Sequence, residues 1–225
     1  MTQQALKMRD VRKTYRMGDE EVVALDRATL TVEADEMVAL VGPSGSGKTT
    51  LCSIAGALLQ PTDGQVEVAG EDITRFGAKE LARFRRDTVG FVFQSVNLIP
   101  FLTARENLMV VDELGRRSGR DARRRADQLL EELGLADRAD NLPGQLSGGQ
   151  RQRVAVGRAL MNEPKLVLFD EPTSALDTKL GEQVMELIRS EMKARGTAAV
   201  IVTHDDRITR FTDRTVRITD GVLEA

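Results

Sequence analysis

The chain has 225 residues, 41% of them hydrophobic and 30% charged, and its formal net charge at pH 7 is −3. This length can bury a complete α/β core, whereas the near balance of 32 basic and 35 acidic residues argues against a protein that binds nucleic acid by neutralising its phosphates. The N-terminal MTQQALKMRD lacks the apolar segment of a signal peptide, and no stretch approaches the ~18 consecutive apolar residues of a membrane span. We therefore expect a cytosolic chain whose one cysteine, Cys52, is a small buried residue.

Two antiparallel strands are predicted at the start of the chain, where they would form a side sheet. Residues 6–15 and 22–32 show partial period-two alternation, and a turn containing Gly18 separates them. Tyr15, the only tyrosine, ends the first of these strands. Its ring could cap the apolar edge of the sheet or stack on a nucleotide base, a contact worth about 1–3 kcal/mol, and the sequence favours neither interpretation.

A phosphate-binding loop follows the next strand. Residues 38–50 read VALVGPSGSGKTT, a buried strand followed by the pattern G-x-x-x-x-G-K-[ST] and the start of a helix. The glycines let successive backbone N–H groups point into one concavity, beside the positive end of the helix dipole. We expect Lys48 to reach the β- and γ-phosphates of a nucleotide and the Thr49 hydroxyl to ligate Mg²⁺. The nucleotide-binding residues assigned here are Gly42, Pro43, Ser44, Gly45, Ser46, Gly47, Lys48, Thr49 and Thr50.

Gln94 comes directly after a predicted strand. The helix after the phosphate loop is predicted to continue through Leu58, and a turn, a strand over 65–69, a helix over 79–86 and a strand over 89–93 follow. An amide at the carboxyl end of a parallel strand can reach a metal ion or an attacking water, although an ordinary solvated loop glutamine would give the same pattern.

The pattern from about 103 to 133 is wholly helical, with a break near Ser118 and Gly119. We interpret this region as a helical subdomain inserted into the sheet. Its basic cluster, Arg116 to Arg125, could contact lipid headgroups or a partner, but interrupting aspartates favour a solvated helix face.

A second glycine-rich helix start lies after this subdomain. Ser147, Gly148 and Gly149 precede a helix predicted over 150–161, which makes a second place suited to an anion. Lys48 and Ser147 are far apart in sequence, with the helical subdomain between them. One γ-phosphate could therefore be held by both only if two copies of the chain met head to tail.

Two further strands end in polar residues. The apolar strand 166–169 delivers Asp170 and Glu171 to its carboxyl end, where Asp170 would hold Mg²⁺ and Glu171 would act as general base for an attacking water. The strand 198–202 ends before Thr203 and His204, the only histidine, which could hydrogen-bond the γ-phosphate or be merely structural. A hairpin around Asp220 and Gly221 closes the chain.

These motifs together resemble the ATP-binding cassette (ABC) family. LSGGQ, residues 146–150, matches that family's signature motif, and the phosphate loop, Gln94, LSGGQ, Asp170-Glu171 and His204 occur in the family's order over essentially the whole chain. The resemblance implies an α/β fold: a P-loop NTPase core with a mostly parallel sheet, an antiparallel side sheet and an inserted helical subdomain. Residues 1–93 and 163–225 would form the core with the side sheet, and about 94–162 the Gln94 loop, the helical subdomain and the signature helix.

The resemblance also implies roles for the site residues. Glu171, His204, Gln94 and Lys48 would be catalytic, with His204 as the switch, and Thr49, Gln94 and Asp170 would hold Mg²⁺. Asp177, in the D-loop motif SALD, would communicate across a dimer, while Gln150 would join Ser147, Gly148 and Gly149 at the nucleotide of the second copy. The cofactors implied are ATP and Mg²⁺.

Three longer runs narrow the resemblance. Residues 90–108, 145–177 and 202–221 are similar to the MacB/LolD-type ATPases, which drive transmembrane extrusion machines by mechanotransmission, and the resemblance implies a chain at the cytoplasmic face of the membrane. Within that group, the segments THDDRI and RALMNEPK most resemble DevA and the haem-exporter ATPase HrtA. This resemblance implies haem efflux through a four-span permease of the HrtB or MacB kind. It also implies that the chain has no nucleic acid partner and contacts the membrane only through the permease. Lipoprotein, macrolide or lipid extrusion stays open, as does, more remotely, an importer ATPase.

Overall fold

The computed structural model describes residues 4–18, 20–112 and 119–224, which form two β-sheets with helices packed around them. The strands are β1 (Gln4–Met17), β2 (Glu20–Glu33), β3 (Met37–Val41), β4 (Asp63–Val68), β5 (Glu71–Asp72), β6 (Val89–Val92), β7 (Leu166–Asp170), β8 (Ala198–Thr203), β9 (Arg214–Thr219) and β10 (Val222–Glu224). The α-helices are α1 (Lys48–Ala55), α2 (Ala78–Thr88), α3 (Ala104–Met109), α4 (Gly119–Glu132), α5 (Gly148–Leu160) and α6 (Thr178–Arg195). Short 3₁₀ turns cover Ala136–Arg138, Pro143–Gln145 and Asp206–Phe211.

The main sheet has six strands in the order β10-β9-β3-β8-β7-β6. All its neighbouring pairs are parallel except the β9–β10 hairpin, which is antiparallel. Every residue of β3 and of β8 is buried, as expected for central strands of a parallel sheet that is covered on both faces. The predicted mostly parallel core is therefore confirmed.

The side sheet has four strands in the order β2-β1-β4-β5, and all its pairs are antiparallel. The two predicted strands at the start of the chain are confirmed and run longer than predicted. Tyr15 pairs with Val22 inside this ladder, so it does not end its strand as predicted.

The hydrophobic core consists of two clusters, one on each face of the main sheet. Leu166 and Leu168 of β7 belong to the cluster that also contains α1 and the side sheet. Val167 and Phe169 belong to the cluster formed with α3, α4, α5 and α6. This alternation is the period-two pattern of a strand, and it fixes which side chains face each layer.

The helix after the phosphate loop is shorter than predicted. α1 ends at Ala55, Gly56 is its C-cap, and Ala57 adopts a left-handed backbone with φ 56°. A left-handed residue just after a helix turns the chain away from the helix axis. Leu58 consequently lies outside the helix and is 41% exposed, so the prediction that the helix continues through Leu58 is wrong.

The region predicted to be wholly helical contains α3 and α4. Residues 113–118, which include Arg116 and Arg117 of the basic cluster, lie outside the described part of the chain. Thr103 caps α3 by accepting a hydrogen bond from the backbone N–H of Glu106. In α4 the side chains of Arg123 and Arg124 are 62% and 82% exposed, as expected for a solvated face. Arg125 differs, because its side chain is only 13% exposed and forms an ion pair with Glu163.

No helix among residues 4–18, 20–112 and 119–224 combines the length and hydropathy that crossing a membrane requires.

Candidate nucleotide-binding site

A cavity of about 580 Å³ opens where the strands β3, β7 and β8 end. Parallel neighbours end at the same edge of a sheet, so the residues that follow these three strands come together there. The cavity is lined by Ala24, Ser44, Gly45, Gly47, Lys48, Thr49, Thr50, Gln94, Asp170, Glu171, Val202 and His204. The structure thus brings the phosphate loop, Gln94, the acidic pair and the histidine to one place.

The phosphate loop is held by its own lysine. Lys48 is only 8% exposed, and its Nζ donates hydrogen bonds of 2.7 Å to the carbonyl oxygens of Gly42 and Pro43. Gly45 and Gly47 adopt φ of 81° and 101°, a backbone region that residues with a Cβ rarely adopt. No side chain caps the start of α1, so its first N–H groups remain available to an anion.

Asp170 and Glu171 place two carboxylates at the edge of this cavity. Burial raises the pKa of Asp170, and the neighbouring charge of Glu171 raises it further, while the Lys48 ammonium opposes both. A carboxyl in these surroundings is stabilised in its charged form by a cation.

The donors around the cavity suit Mg²⁺. The Thr49 hydroxyl, the Gln94 amide and the Asp170 carboxylate are hard oxygen donors that line the same space. Within the described ranges, no group of three or more His, Cys, Asp and Glu side chains could hold a metal ion unaided. That composition fits magnesium, which proteins usually bind through one or two side chains together with substrate phosphates.

Glu171 and His204 are directly hydrogen-bonded to each other. Nδ1 of His204 lies 2.7 Å from Oε1 of Glu171, and the Glu171 side chain is 13% exposed against 66% for the histidine. An ionised carboxylate only accepts hydrogen bonds, so in that state Nδ1 carries the hydrogen and Nε2 is the ring nitrogen left for another partner.

The backbone of Glu171 is in the left-handed region, with φ 49°. Such a conformation costs of order 1–2 kcal/mol for a residue with a Cβ. Two neighbours hold it in place: the Glu171 N–H donates to the carbonyl of Val202, and the Glu171 carbonyl accepts from the Ser174 N–H and hydroxyl. The sequence predicts no such role for Ser174, which is the first residue of the SALD motif.

The signature residues lie elsewhere on the chain. Residues 147–150 are all described, and none of them lines the cavity that contains Lys48. α5 begins at Gly148, two residues earlier than predicted, with Ser147 as its N-cap. The Ser147 hydroxyl accepts from the Gln150 N–H, and the Gln150 side chain accepts from the Ser147 N–H. A Cβ on Gly149 would lie 2.7 Å from Cδ1 of Leu180 in α6, so a side chain here would have to displace the end of that leucine.

Asp177 and Tyr15 also lie outside the phosphate-loop cavity. Asp177 caps α6 and lines a neighbouring space of about 150 Å³ that it shares with Glu171 and His204. Tyr15 is 37% exposed, and the ammonium of Lys13 lies 5.4 Å from the centroid of its ring. The base-stacking role of Tyr15 stays a prediction.

Cys52 lies inside α1 and is fully buried. Burial raises the pKa of its thiol well above the usual range, and the charge of Asp170 adds to that effect. The thiol therefore stays protonated and unreactive, as its interpretation as a small buried residue predicts.

Comparison with known proteins gives one family. The model of the family described as ABC transporter matches residues 25–174. The macrolide export ATP-binding/permease protein MacB of Rhodopirellula baltica is 47% identical over 215 residues, which are 95% of this chain and 31% of that protein. This chain thus spans about a third of the length of such MacB relatives.

A second relative matches the chain nearly end to end. The ABC transporter ATP-binding protein MJ0796 of Methanocaldococcus jannaschii is 44% identical over 223 residues, which are 97% of this chain and 95% of that protein. Its dimeric structure in a post-hydrolysis state, bound to ADP and Pi, superposes with a TM-score of 0.88 and 43% identity over 98% of this chain and 97% of that chain.

Proposed function

We propose that this chain powers a separate transmembrane permease by pairing with a second copy of itself around ATP. The chain belongs to the ABC transporter family and is an ATPase of that family. The observation that carries the proposal is that the two glycine-rich helix starts of this chain, each suited to an anion, lie apart from each other. One lies in the cavity with Gln94, Asp170, Glu171 and His204, and the other, at Ser147, lies outside it.

In this proposal the phosphate loop binds the polyphosphate of ATP. Backbone N–H groups of the loop and of the first turn of α1 contact the phosphate oxygens, and Lys48 exchanges its two carbonyl partners for the β- and γ-phosphates. Thr49, Gln94 and Asp170 would hold Mg²⁺, which would supply positive charge beside the phosphates. Tyr15 stacks on the base.

Glu171 acts as the general base. Its carboxylate takes a proton from the attacking water as the water oxygen bonds to the γ-phosphorus and the bond to the β-phosphate oxygen breaks, a role worth about 10²–10⁴-fold in rate. His204, hydrogen-bonded to Glu171 through Nδ1, fixes the carboxylate, and as an imidazolium it also donates from Nε2 to the γ-phosphate. Gln94 orients the same water.

The second copy completes the site. Ser147, Gly148, Gly149 and Gln150 of one chain contact the γ-phosphate bound by the other, and Asp177 lies between the two sites. ATP therefore stabilises a closed pair, and loss of the γ-phosphate lets the two chains part. The dimer of MJ0796 with ADP and Pi supports this arrangement by similarity.

The permease is proposed to be a four-span protein of the MacB or HrtB kind that exports its substrate, with this chain bound at the cytoplasmic face of the membrane. MacB relatives carry ATP-binding and permease parts in one protein, and this chain corresponds to about a third of that length. Motion passes to the permease through the segment 94–105, which begins at Gln94. Haem is our proposed substrate, on the resemblance to HrtA, with lipoprotein, macrolide or lipid extrusion as the alternative and an importer as the more distant one.

The test of shared sites mixes two inactive variants. Lys48→Ala removes the phosphate-loop lysine, and Ser147→Arg puts a large cation at the exposed signature cap. A mixed pair contains one intact composite site, so an equal mixture should regain up to about a quarter of wild-type ATPase activity although each variant alone is inactive.

Lys48→Ala mixed with the double variant Lys48→Ala, Ser147→Arg is the matched control, because no pairing of those chains has an intact site. A mixture of the two single variants that hydrolyses ATP no faster than this control would contradict the proposal. For the substrate, cells lacking the gene should become sensitive to haem, and unchanged sensitivity would remove haem from the proposal.

A further inference from the structure

The turn between β9 and β10 is bonded directly to the phosphate loop. The N–H of Gly221 donates a 3.0 Å hydrogen bond to the carbonyl of Ser46, and the Gly221 carbonyl accepts a 2.9 Å bond from the N–H of Asp26 in β2. A continuous chain of backbone hydrogen bonds thus runs from the side sheet through this turn to the loop.

The same elements approach the loop too closely for any side chain to fit between them. A Cβ on Gly42 would lie 2.2 Å from the carbonyl oxygen of Ile218 in β9, and a Cβ on Gly47 would lie 2.4 Å from the carbonyl oxygen of Ala24 in β2. Gly221 itself has φ +80°, and its Cβ would lie 2.9 Å from the same Ala24 oxygen. The curvature of the phosphate loop is therefore set partly by β2, by β9 and by the turn between β9 and β10.

The bond to Ser46 determines the direction of one particular N–H group. In a trans peptide the carbonyl and the N–H point in opposite directions, so fixing the Ser46 carbonyl on Gly221 turns the Gly47 N–H to the other side of the loop. Gly47 lines the cavity, whereas Gly221 does not. The Ser46 hydroxyl is buried without a hydrogen-bond partner among the described residues, so it gives no alternative anchor for this peptide.

We propose that Gly221 is a positioning residue for the phosphate loop, holding the peptide between Ser46 and Gly47 so that the Gly47 N–H is aimed at a nucleotide phosphate. Gly221 acts through Ser46 and does not touch the nucleotide. The inference rests on the proposed ATP-binding function and adds a role for residues far from the nucleotide motifs in sequence.

Gly221→Ala tests this role, with Gly70→Ala as the matched control. Gly70 has nearly the same φ, +82°, in the turn between β4 and β5, and a Cβ there meets nothing within 4 Å. Both substitutions put a Cβ on a left-handed residue, but only Gly221→Ala disturbs the bond to Ser46. We expect the Kd for fluorescent mant-ATP to rise about tenfold in Gly221→Ala, the effect of losing one hydrogen bond to a charged group, and to stay unchanged in Gly70→Ala.

The kinetics separate positioning from general damage. With both variants held well below their unfolding temperatures, Gly221→Ala should raise KM for ATP with little change in kcat, and Gly70→Ala should change neither. Equal affinities in the two variants would overturn the proposal, as would a loss of affinity that follows only the fraction of unfolded chain. A wild-type chain that fails to bind mant-ATP would instead overturn the proposed function.

Two further measurements serve if Gly221→Ala folds poorly. Gly221→Asn tolerates the left-handed backbone better while keeping a Cβ near Ala24, so it should be more stable than Gly221→Ala and still bind mant-ATP more weakly than wild type. In the wild-type chain without nucleotide, the Gly221 amide should be protected from hydrogen exchange, because its bond to Ser46 exists before ATP arrives. Rapid exchange of that amide would overturn the proposal.

Discussion

α1 begins directly after Gly47 and α5 begins with Gly148 and Gly149, yet their first turns are built differently. The start of α1 has no side-chain cap, and its first residues line a cavity of about 580 Å³. The start of α5 is capped by Ser147 and Gln150, which bond each other, and it lies outside that cavity. The same glycine-rich signal thus has two structural results. The first N–H groups of α1 can bind a phosphate in the cavity of their own chain. The start of α5 is capped by its own side chains and has no such cavity beside it.

The largest effect that separates the two helix starts is expected from Glu171→Gln. Glu171 lines the cavity at the start of α1, so its loss should lower the rate of ATP hydrolysis by about 10²–10⁴-fold while ATP binding is kept. ATP should then hold two chains together, and light scattering should detect a stable dimer.

Glu186→Gln is the matched control for this variant, because it makes the same chemical change at an exposed position of α6. It should leave hydrolysis and the monomer–dimer balance as in the wild type. Near-normal turnover in Glu171→Gln would show that Glu171 is not the base.

A smaller effect is expected at the start of α5. Ser147→Ala removes an N-cap and should lower the free energy of unfolding by about 1 kcal/mol, or roughly 2–4 °C in Tm. Binding of mant-ATP to the isolated chain should not change, because Ser147 lies outside the cavity. Hydrolysis should fall, because the hydroxyl is proposed to contact the ATP of the second copy.

Thr103→Ala gives the comparison that sharpens this result. Thr103 caps α3 with the same reciprocal pattern, through Glu106, so its loss should cost similar stability. Hydrolysis by the isolated chain should be unaffected. If Ser147→Ala and Thr103→Ala hydrolysed ATP equally well, the start of α5 would be structural only.

The smallest effect, a change in the stability of the chain without ligands, is expected from Asp170→Asn. Folding raises the pKa of this carboxyl, so its ionised form is less favourable in the folded chain than in the unfolded one. The destabilisation is absent at a pH below the unfolded pKa, grows as the pH rises from there to the raised folded pKa, and is constant above it. Without Mg²⁺ and nucleotide at pH 7, Asp170→Asn should therefore raise Tm, and only slightly because the carboxyl is half-buried and screened by solvent.

The same variant should bind Mg²⁺–ATP more weakly than the wild type, which isothermal titration can measure. Its Tm should also lose the part of its pH dependence that Asp170 contributes, which a comparison of the two pH profiles can measure. A lower Tm for Asp170→Asn than for the wild type at pH 7 would contradict this account.

Much of the site could be predicted because parallel strands align their ends. Once the strands before Gly42, Asp170 and Thr203 were recognised as buried and parallel, their following residues had to meet at one edge. The contact between Gly221 and Ser46 had no such signal, because no periodicity links a hairpin turn to a distant loop. The early end of α1 was missed because Ala57, not a glycine, adopts the left-handed backbone there.

Residues with two physically reasonable environments were the hardest to predict. Tyr15 is an exposed strand residue, and neither its exposure nor its contact with Lys13 decides whether it meets a base. Arg125 belongs by sequence to an exposed basic cluster, but its position on α4 directs it towards Glu163. The subdomain boundaries at 93 and 163 stay predictions.

The burial of Cys52 makes the chain well suited to single-molecule work. Its one native thiol is enclosed and protonated, so a maleimide dye would react only with a cysteine introduced on the surface. An engineered thiol on the exposed face of α4, at Arg124 for example, could be labelled without first removing the native one. Energy transfer between donor-labelled and acceptor-labelled chains would then follow their association and separation in real time.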